Sequence, residues 1–209
     1  MNMKRLFVLF LLCISFSALA QSFPHPFKKK TPWHCGTVVF HNGDTLHVNL
    51  KFTRKVSEGL LQVRQGKQVK VLTVKDVLSF SYYDKKKSKT RRYLTLSMAP
   101  DLATREHEVF IEYIYGNNKF SLLNYKALGF SDQAVQINPF RTKTVVNKRY
   151  LLDNSNGKIV PLTKDNVLQL MDEERKEVIS YIHASGMRLK TVEDYILLLD
   201  YHQSLIAGI

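Results

Sequence analysis

The stretch GTVVFHNGDTLHVNLKF, residues 36–52, decides the fold of this chain. Its centre, Asn42-Gly43, tolerates the positive φ angles of a type I′ turn, whose twist matches that of the flanking strands. After the turn, apolar residues alternate with polar ones, which predicts a strand with one buried and one wet face. These apolar residues are Leu46, Val48, Leu50 and Phe52. We therefore predict a tight hairpin with a two-residue loop, His41 opposite Asp44 and His47 opposite Val38.

Short strand-like segments and turns continue to about residue 160. Gly66 and Gly116-Asn117-Asn118 mark two further hairpin turns, and Asn154-Ser155-Asn156-Gly157 marks another. The pattern predicts an antiparallel β-sheet or a small open barrel over residues 36–160. The predicted strands are 60–64, 68–73, 77–83, 93–98, 108–115 and 119–125, with weaker candidates at 135–138, 144–147 and 149–152. The turn at 154–157 leads the chain into residues 158–160.

The pattern changes at Pro161, where three helices are predicted. Thr163 is expected to cap a short helix to residue 171, and Asp172 a second helix to residue 184 that stops at Ser185-Gly186. Thr191 and Asp194 have the spacing of a capping box for a third helix, 192–205. We therefore predict an α+β protein whose residues 161–209 form a three-helix C-terminal layer on the sheet. The expected apolar stripe of the last helix is Val192, Tyr195, Ile196, Leu199 and Ile206.

The N-terminus has the three parts of a secretory signal peptide. Lys4 and Arg5 precede an apolar run at 6–16, and Ala18-Leu19-Ala20 supplies the small residues for cleavage before Gln21. The run is shorter than the roughly 18 residues of a membrane helix, and we expect no transmembrane segment in the mature chain. Residues 1–20 are thus predicted to be a signal peptide, and 21–35 an extended leader rich in proline and lysine.

Charge and export together narrow the class of partner. The net charge of +13 falls to +11 without residues 1–20, because only Lys4 and Arg5 are lost among the charged residues. Strong positive charge often indicates nucleic acid binding. An exported protein instead meets anionic lipid headgroups and acidic envelope polysaccharide, so we expect those partners and no nucleic acid.

The segment from His34 to His47 contains closely spaced histidine and cysteine residues, which are candidate metal ligands and nucleophiles. Cys35 is the only cysteine left after Cys13 departs with the signal peptide. It could be a buried small hydrophobic residue, or it could pair with another chain or a small thiol. The predicted hairpin places His41 and His47 on opposite faces, so their ring nitrogens cannot converge on zinc. We expect no metal, no cofactor and, since no catalytic motif is found, no enzymatic activity. A hydrolase with its site near His34–His47 is the alternative.

The densest charge in the chain lies at residues 85–92, a predicted loop with six cations and no acid. Tyrosines flank it on both sides, and cations beside aromatic rings suit anionic polymers and lipid headgroups. The other interpretation is a hairpin loop solvated by its own lysines. The candidate ligand-binding residues are Lys85, Lys86, Lys87, Lys89, Arg91 and Arg92.

Several short motifs together resemble a broad class of exported proteins of Bacteroidota-type bacteria, marked by an "nGDT" hairpin near the start and a helical C-terminus. The resemblance implies no activity and no site residues. It implies a periplasmic or outer-membrane-associated location, or an extracellular one, in a Gram-negative bacterium. We therefore expect a non-enzymatic, envelope-associated binding or structural module with a basic surface. The motifs are the Asn42-Gly43-Asp44-Thr45 turn, Val74-Lys75-Asp76-Val77, Phe110-Ile111-Glu112, Gly116-Asn117-Asn118-Lys119, Arg149-Tyr150-Leu151-Leu152 and Asp194-Tyr195-Ile196.

Overall fold

A computed structural model describes residues 32–51, 59–99, 106–129 and 144–208 of the chain. The predicted signal peptide, most of the predicted leader, Phe52 and the candidate strand 135–138 lie outside the described residues.

Ten strands and three helices follow one another in the described residues. The strands are β1 (Trp33–Phe40), β2 (Thr45–Lys51), β3 (Leu60–Gln65), β4 (Gln68–Thr73), β5 (Val77–Asp84), β6 (Lys89–Met98), β7 (His107–Gly116), β8 (Phe120–Gly129), β9 (Thr144–Asp153) and β10 (Ile159–Pro161). The helices are α1 (Lys164–Leu170), α2 (Arg175–Ala184) and α3 (Val192–Ala207). The expected α+β class is confirmed.

All strands belong to one open antiparallel sheet with the order β10-β9-β8-β7-β6-β5-β1-β2-β3-β4. The chain runs outward from β1 to β4, returns to pair β5 with the free side of β1, and runs outward again to β10. This return is the single non-local step in strand order. It places β5 to β10 together as one continuous meander, on which the charged residues discussed below lie.

The first hairpin forms where predicted, but its loop has three residues. Thr37, not Val38, pairs with His47, and the Phe40 amide donates to the Asp44 carbonyl at 2.9 Å. A type I′ turn needs positive φ at both central residues, whereas only Gly43 has it here, at 88°. The two-residue loop, the placing of His41 opposite Asp44 and the pairing of His47 with Val38 were therefore wrong. Phe40 faces Asp44, and His41 lies in the loop after the end of β1.

The inward face of β2 survives this shift, because alternation along a strand does not depend on its partner. Val48 and Leu50 are buried, Leu50 to 1% exposure, and Leu46 packs partly buried against the same cluster. That cluster extends across β1, β3, β5 and β6 to Phe110 on β7. Phe80 stacks on Tyr93 within it, with ring centroids 4.7 Å apart.

The remaining strand predictions differ from the structure mainly at their ends. Strand β1 begins at Trp33, inside the predicted leader, and the candidates 144–147 and 149–152 are one strand, β9. Strand β6 begins at Lys89 instead of Tyr93, which takes the second half of the predicted basic loop into the sheet. The turns at Gly66, Gly116–Asn118 and Asn154–Gly157 lie where expected.

The helices pack on the β8–β9 end of the sheet. Phe120, Leu122 and Leu151 share one buried cluster with apolar residues of all three helices. Thr163 caps α1, and Thr191 with Asp194 forms the predicted capping box of α3. Two expectations were wrong. Glu174 precedes α2 in place of Asp172, and Ile206 is exposed while Leu198 and His202 complete the buried stripe of α3.

A third apolar cluster lies on the other face of β6 to β9. Alternation along each strand sends Leu122 toward the helices and Leu123 to this opposite cluster. Among the helices that the structure describes, none has both the length and the apolar character needed to cross a bilayer.

Candidate anion-binding cleft

The six cations predicted to share a loop are divided between a turn and a strand. Lys85, Lys86 and Lys87 lie exposed in the β5–β6 turn, where the Asp84 carboxylate accepts from the Lys86 amide at 3.1 Å. Lys89, Arg91 and Arg92 belong to β6. Because side chains alternate along a strand, Arg91 and Arg92 point to opposite faces. The six residues therefore do not form one surface.

Arg91 is the member of this set that the structure removes from the surface. Its side chain is 11% exposed, and its Nε and Nη2 donate to the two Glu112 oxygens at 2.6 and 2.5 Å. Asp84 lies 3.6 Å from Nη1. This two-point geometry is the strong form of an arginine–carboxylate pair. Burial opposes the guanidinium charge, but the hydrogen bonds with Glu112 outweigh it and raise the pKa of Arg91.

Both carboxylate oxygens of Glu112 already accept hydrogen bonds from neighbouring side chains. Glu112 is 3% exposed, and Asn124 Nδ2 donates to its Oε2 at 3.2 Å, in addition to the two bonds from Arg91. Burial raises the pKa of the carboxyl, yet the hydrogen bonds from Arg91 and Asn124 and the nearby positive charges hold it below the ordinary value. Glu112 is therefore ionised at neutral pH and its charge is neutralised by Arg91.

Arg91 and Glu112 lie at one side of a cleft of about 250 Å³ between the sheet and the start of α3. The cleft lining contains five cations and a single carboxylate, that of Glu112. It is formed by residues of the β5–β6 turn, β6, β7, β8, β9 and α3: Lys87, Lys89, Arg91, Glu112, Ile114, Asn124, Lys126, Asn147, Arg149 and Val192.

The register of β8 and β9 assembles the part of the cleft nearest α3. Asn124 lies opposite Arg149, and Lys126 lies opposite Asn147. Lys126 is half-buried, whereas Asn147 and Arg149 are exposed at the rim. Burial lowers the pKa of Lys126, and the positive charges of Arg91 and Lys87 lower it further against the opposing effect of Glu112 and Asp84. The fold thus holds an ammonium group where its charge is disfavoured.

Sequence reasoning identified Lys87, Lys89 and Arg91 but missed Glu112, Asn124, Lys126 and Arg149. A local signal did exist for two of these residues. Glu112 is the only acid in VFIEYIY (109–115), and Lys126 is the only charge in LLNYKAL (122–128). A single charge inside an apolar strand is expected to need a partner, because an isolated buried charge is costly.

A second cleft, of about 580 Å³, lies on the other end of the sheet and includes Cys35, Thr37 and His47. Cys35 is exposed, so its interpretation as a buried small hydrophobic residue was wrong. Its thiol donates to Asn49 Oδ1 at 3.5 Å, and the Thr37 hydroxyl is hydrogen-bonded to His47 Nδ1 at 3.0 Å. Cys35 faces outward because it alternates with Gly36, at which a Cβ would point toward the buried Leu50 side chain.

The three histidines of the 34–47 segment are dispersed. The His34 ring lies 4.7 Å from the Tyr82 ring, His47 lies in the second cleft, and His41 Nε2 is 3.0 Å from the Val74 carbonyl oxygen. Within the described residues, no three His, Cys, Asp or Glu side chains are grouped as metal ligands would be.

Comparison of this chain with protein-family models, with curated proteins and with solved structures found no match.

Proposed function

We propose that this protein is an exported, non-enzymatic module of the cell envelope that binds anionic ligands in the basic cleft between β6–β9 and α3. The signal-like N-terminus and the resemblance to exported Bacteroidota-type proteins support a periplasmic, outer-membrane-associated or extracellular location in a Gram-negative bacterium. The net charge of +11 expected after cleavage supports an anionic partner.

The observation that carries this proposal is the unbalanced charge of the cleft. Five cations line it, and its one carboxylate already belongs to Arg91. Like charges close together repel, and a low-dielectric wall strengthens that repulsion. An anion in the cleft relieves it, so the site is complementary to a carboxylate or phosphate group. Acidic envelope polysaccharide and anionic lipid headgroups both present such groups.

Two charge-matched triple variants test the proposal. Lys87→Gln, Lys89→Gln and Arg149→Gln remove three exposed cations that line the cleft. Lys67→Gln, Lys70→Gln and Lys75→Gln remove three exposed cations in and around β4, the opposite edge of the sheet. Both triples lower the net charge equally, and each surface change is expected to alter stability by less than about 0.5 kcal/mol.

Binding is measured at low salt to polygalacturonate, an acidic polysaccharide, and to vesicles containing phosphatidylglycerol. We expect the cleft triple to lose most of the affinity, the β4 triple to retain it, and binding to weaken as salt rises, because exposed charges are screened beyond about 8 Å at physiological ionic strength. Equal losses from the two triples would show that only total charge matters. Failure of both probes to bind would refute the proposal.

A hydrolase using the second cleft is the other candidate, because Cys35 and His47 line that cleft together. A cysteine nucleophile needs a base within hydrogen-bonding reach. Cys35 pairs with Asn49, so His47 is its diagonal neighbour on β2, and such neighbours are about 7–8 Å apart. Alkylation of Cys35 by iodoacetamide distinguishes the two candidates. An alkylation rate above that of free cysteine in the unaltered protein, together with a lower rate in His47→Gln, would favour the hydrolase. A rate equal to that of free cysteine in both proteins would favour the binding module.

A further inference from the structure

Strand β4 is an open edge of the sheet. It pairs with β3 without a register shift from Gln68 to Thr73, and no other described strand lies beside it. The opposite edge, β10, is three residues long and ends in Pro161, which has no amide hydrogen. Short strands and proline are common ways of protecting an edge against further pairing. Of the two edges, β4 is therefore the one able to accept another strand.

The backbone groups of Val69 and Val71 point away from β3. The β3–β4 turn has two residues, so Gln68, which closes it, forms a hydrogen-bonded pair with β3. Hydrogen-bonded and non-hydrogen-bonded pairs alternate along an antiparallel strand, which directs the amides of Val69, Val71 and Thr73 outward. Thr73 agrees with this alternation, because its amide donates to the Asp76 carboxylate at 2.8 Å. Val69 and Val71 thus present the amide and carbonyl groups that a further strand needs.

The side chains of β4 give this edge an apolar side and a positive charge. Val69 and Val71 are 53% and 54% exposed on one face of the strand. Lys70 projects from the other face and is exposed, and the exposed Lys67 and Lys75 flank the strand. Residues 59–75 contain no acid. A strand added here covers two exposed valines and meets three cations.

These cations disfavour a second copy of the chain as the added strand. A two-fold axis through Lys70 would place the two Lys70 side chains directly opposite each other. An axis through Val71 would place them diagonally opposite, and Lys67 of each copy would face Lys75 of the other. Like charges opposite each other destabilise a sheet. The same cations are complementary to a strand that carries acidic side chains at the facing positions.

We propose that β4 binds an extended acidic segment of a partner protein, which pairs antiparallel with it as a further strand of the sheet. The backbone of the segment bonds the outward groups of Val69 and Val71, its apolar side chains cover these valines, and its acids face Lys67, Lys70 and Lys75. This surface is separate from the basic cleft, so the proposal stands or fails independently of the proposed function.

The probe is the peptide ETVTVEVTE, whose antiparallel alignment sets its three glutamates opposite Lys75, Lys70 and Lys67. Its binding to the purified protein is measured by fluorescence anisotropy of a labelled peptide. One control, ETVTPEVTE, has the same charge and a proline that interrupts strand pairing, and the other, KTVTVKVTK, has the opposite charge. We expect ETVTVEVTE to bind about tenfold more tightly than either control.

Variants of the protein separate backbone pairing from charge. Val71→Pro removes an outward amide without removing a bond to β3, and should weaken binding about tenfold. Val71→Thr keeps the amide and should bind normally. The β4 triple described above should weaken binding about tenfold, because it removes the three facing cations. The cleft triple lowers the net charge equally and should leave peptide binding unchanged.

Amide hydrogen exchange gives a second measurement, which attraction by charge alone does not change. Binding of ETVTVEVTE should slow exchange about tenfold or more at the amides of Val69 and Val71, which point outward in the free protein. The amide of Lys70 is already bonded to β3, so its exchange should change less. This measurement uses the unaltered protein, so the test remains valid if Val71→Pro does not fold.

Four results would overturn the proposal. Equal binding of ETVTVEVTE and ETVTPEVTE, or unchanged exchange at Val69 and Val71, would show that the peptide does not add a strand. Equal losses in the β4 and cleft triples would show attraction to total charge only. A dimer in sedimentation equilibrium that Val71→Pro dissociates would mean that a second copy occupies β4. Absence of binding by ETVTVEVTE would leave β4 without the proposed partner.

Discussion

The Arg91 guanidinium and the Glu112 carboxylate form a two-point ion pair in which the two side chains are 11% and 3% exposed. Such a pair is costly to break, since removing one partner leaves the other charge buried and uncompensated. Arg91 lies in a run of cations, so residue type alone indicates a solvated or ligand-binding side chain. The strand geometry assigns it a different role, the support of the cleft wall.

Glu112→Gln is predicted to lower the free energy of unfolding by about 3–5 kcal/mol, because it keeps the shape of the side chain and removes the charge that Arg91 needs. Urea denaturation at pH 7 measures the change. Glu108→Gln, an exposed acid on the same strand, is the control and should cost less than about 0.5 kcal/mol. Equal effects of the two variants would show that the pair contributes no more than a surface charge.

Lys126→Met is predicted to raise the melting temperature at pH 7. The folded-state pKa of Lys126 is lowered, so the folded protein binds the proton less tightly than the unfolded chain. The charged lysine therefore costs stability at neutral pH, and stability rises with pH between the lowered pKa and about 10.4, the value of an unperturbed lysine. Methionine has a similar shape without the charge. A clear fall in melting temperature would mean that Lys126 has a structural role.

At the scale of elements, α3 begins and ends on local signals, and its buried face carries a long-range contact. Thr191 Oγ1 accepts from the Asp194 amide at 3.1 Å, which completes the capping box, and Gly208 closes the helix at φ 70°. On the buried face, His202 is fully buried, with Nε2 3.1 Å from Glu174 Oε2. That contact joins α3 to the residue preceding α2.

His202 is predicted to make the helical region sensitive to acid. Burial lowers the pKa of its imidazole, and the hydrogen bond with Glu174 only partly offsets this. The folded state therefore favours neutral His202, and its contribution to stability is present above about pH 6.5 and is lost as pH falls through the lowered pKa. The melting temperature should drop between pH 7.5 and 5.0, and the drop should be smaller in His202→Gln. His183→Gln, exposed at the end of α2, should keep the full drop. An unchanged drop in His202→Gln would assign the acid sensitivity to other groups.

At the scale of the whole molecule, one open sheet brings together charges that are far apart in sequence. Arg91, Lys126 and Arg149 lie on three strands, β6, β8 and β9, and they line one cleft because the meander from β5 to β10 is unbroken. We expect the positive charge of the protein to attract an anion mainly at this cleft, where several cations lie close together. Charges spread evenly over a surface are largely screened from one another at physiological salt.

Export is the prediction that belongs to the whole chain. We expect cleavage between Ala20 and Gln21, so that the mature protein begins at Gln21 and carries no lipid, since Leu12 precedes Cys13 where a lipoprotein signal needs a small residue. Mass spectrometry of the protein recovered from the envelope of an expressing cell checks this, with glutamine or pyroglutamate at the N-terminus. An acylated Cys13, or an intact N-terminus in the cytoplasm, would contradict it.

The amino-acid sequence by itself determined the features that depend on near neighbours. The inward face of Leu46, Val48 and Leu50, the stop at Gly186 and the Thr191–Asp194 box each follow from side-chain period, φ preference or a hydrogen bond spanning a few residues. The length of the loop at Asn42-Gly43 did not follow from near neighbours. A two-residue type I′ turn and the observed three-residue loop both place Gly43 at positive φ, and they differ in the φ of Asn42.

Only the tertiary structure decided the return of β5 to β1, the pairing of Arg91 with Glu112 and the placing of Lys126 and Arg149 in one cleft. These are contacts between segments about twenty or more residues apart, and their energies depend on burial and on which strands become neighbours. A cation in an exposed turn and a cation in a half-buried cleft look the same in sequence. They differ in the water they lose and in the charges they face, and strand order determines both.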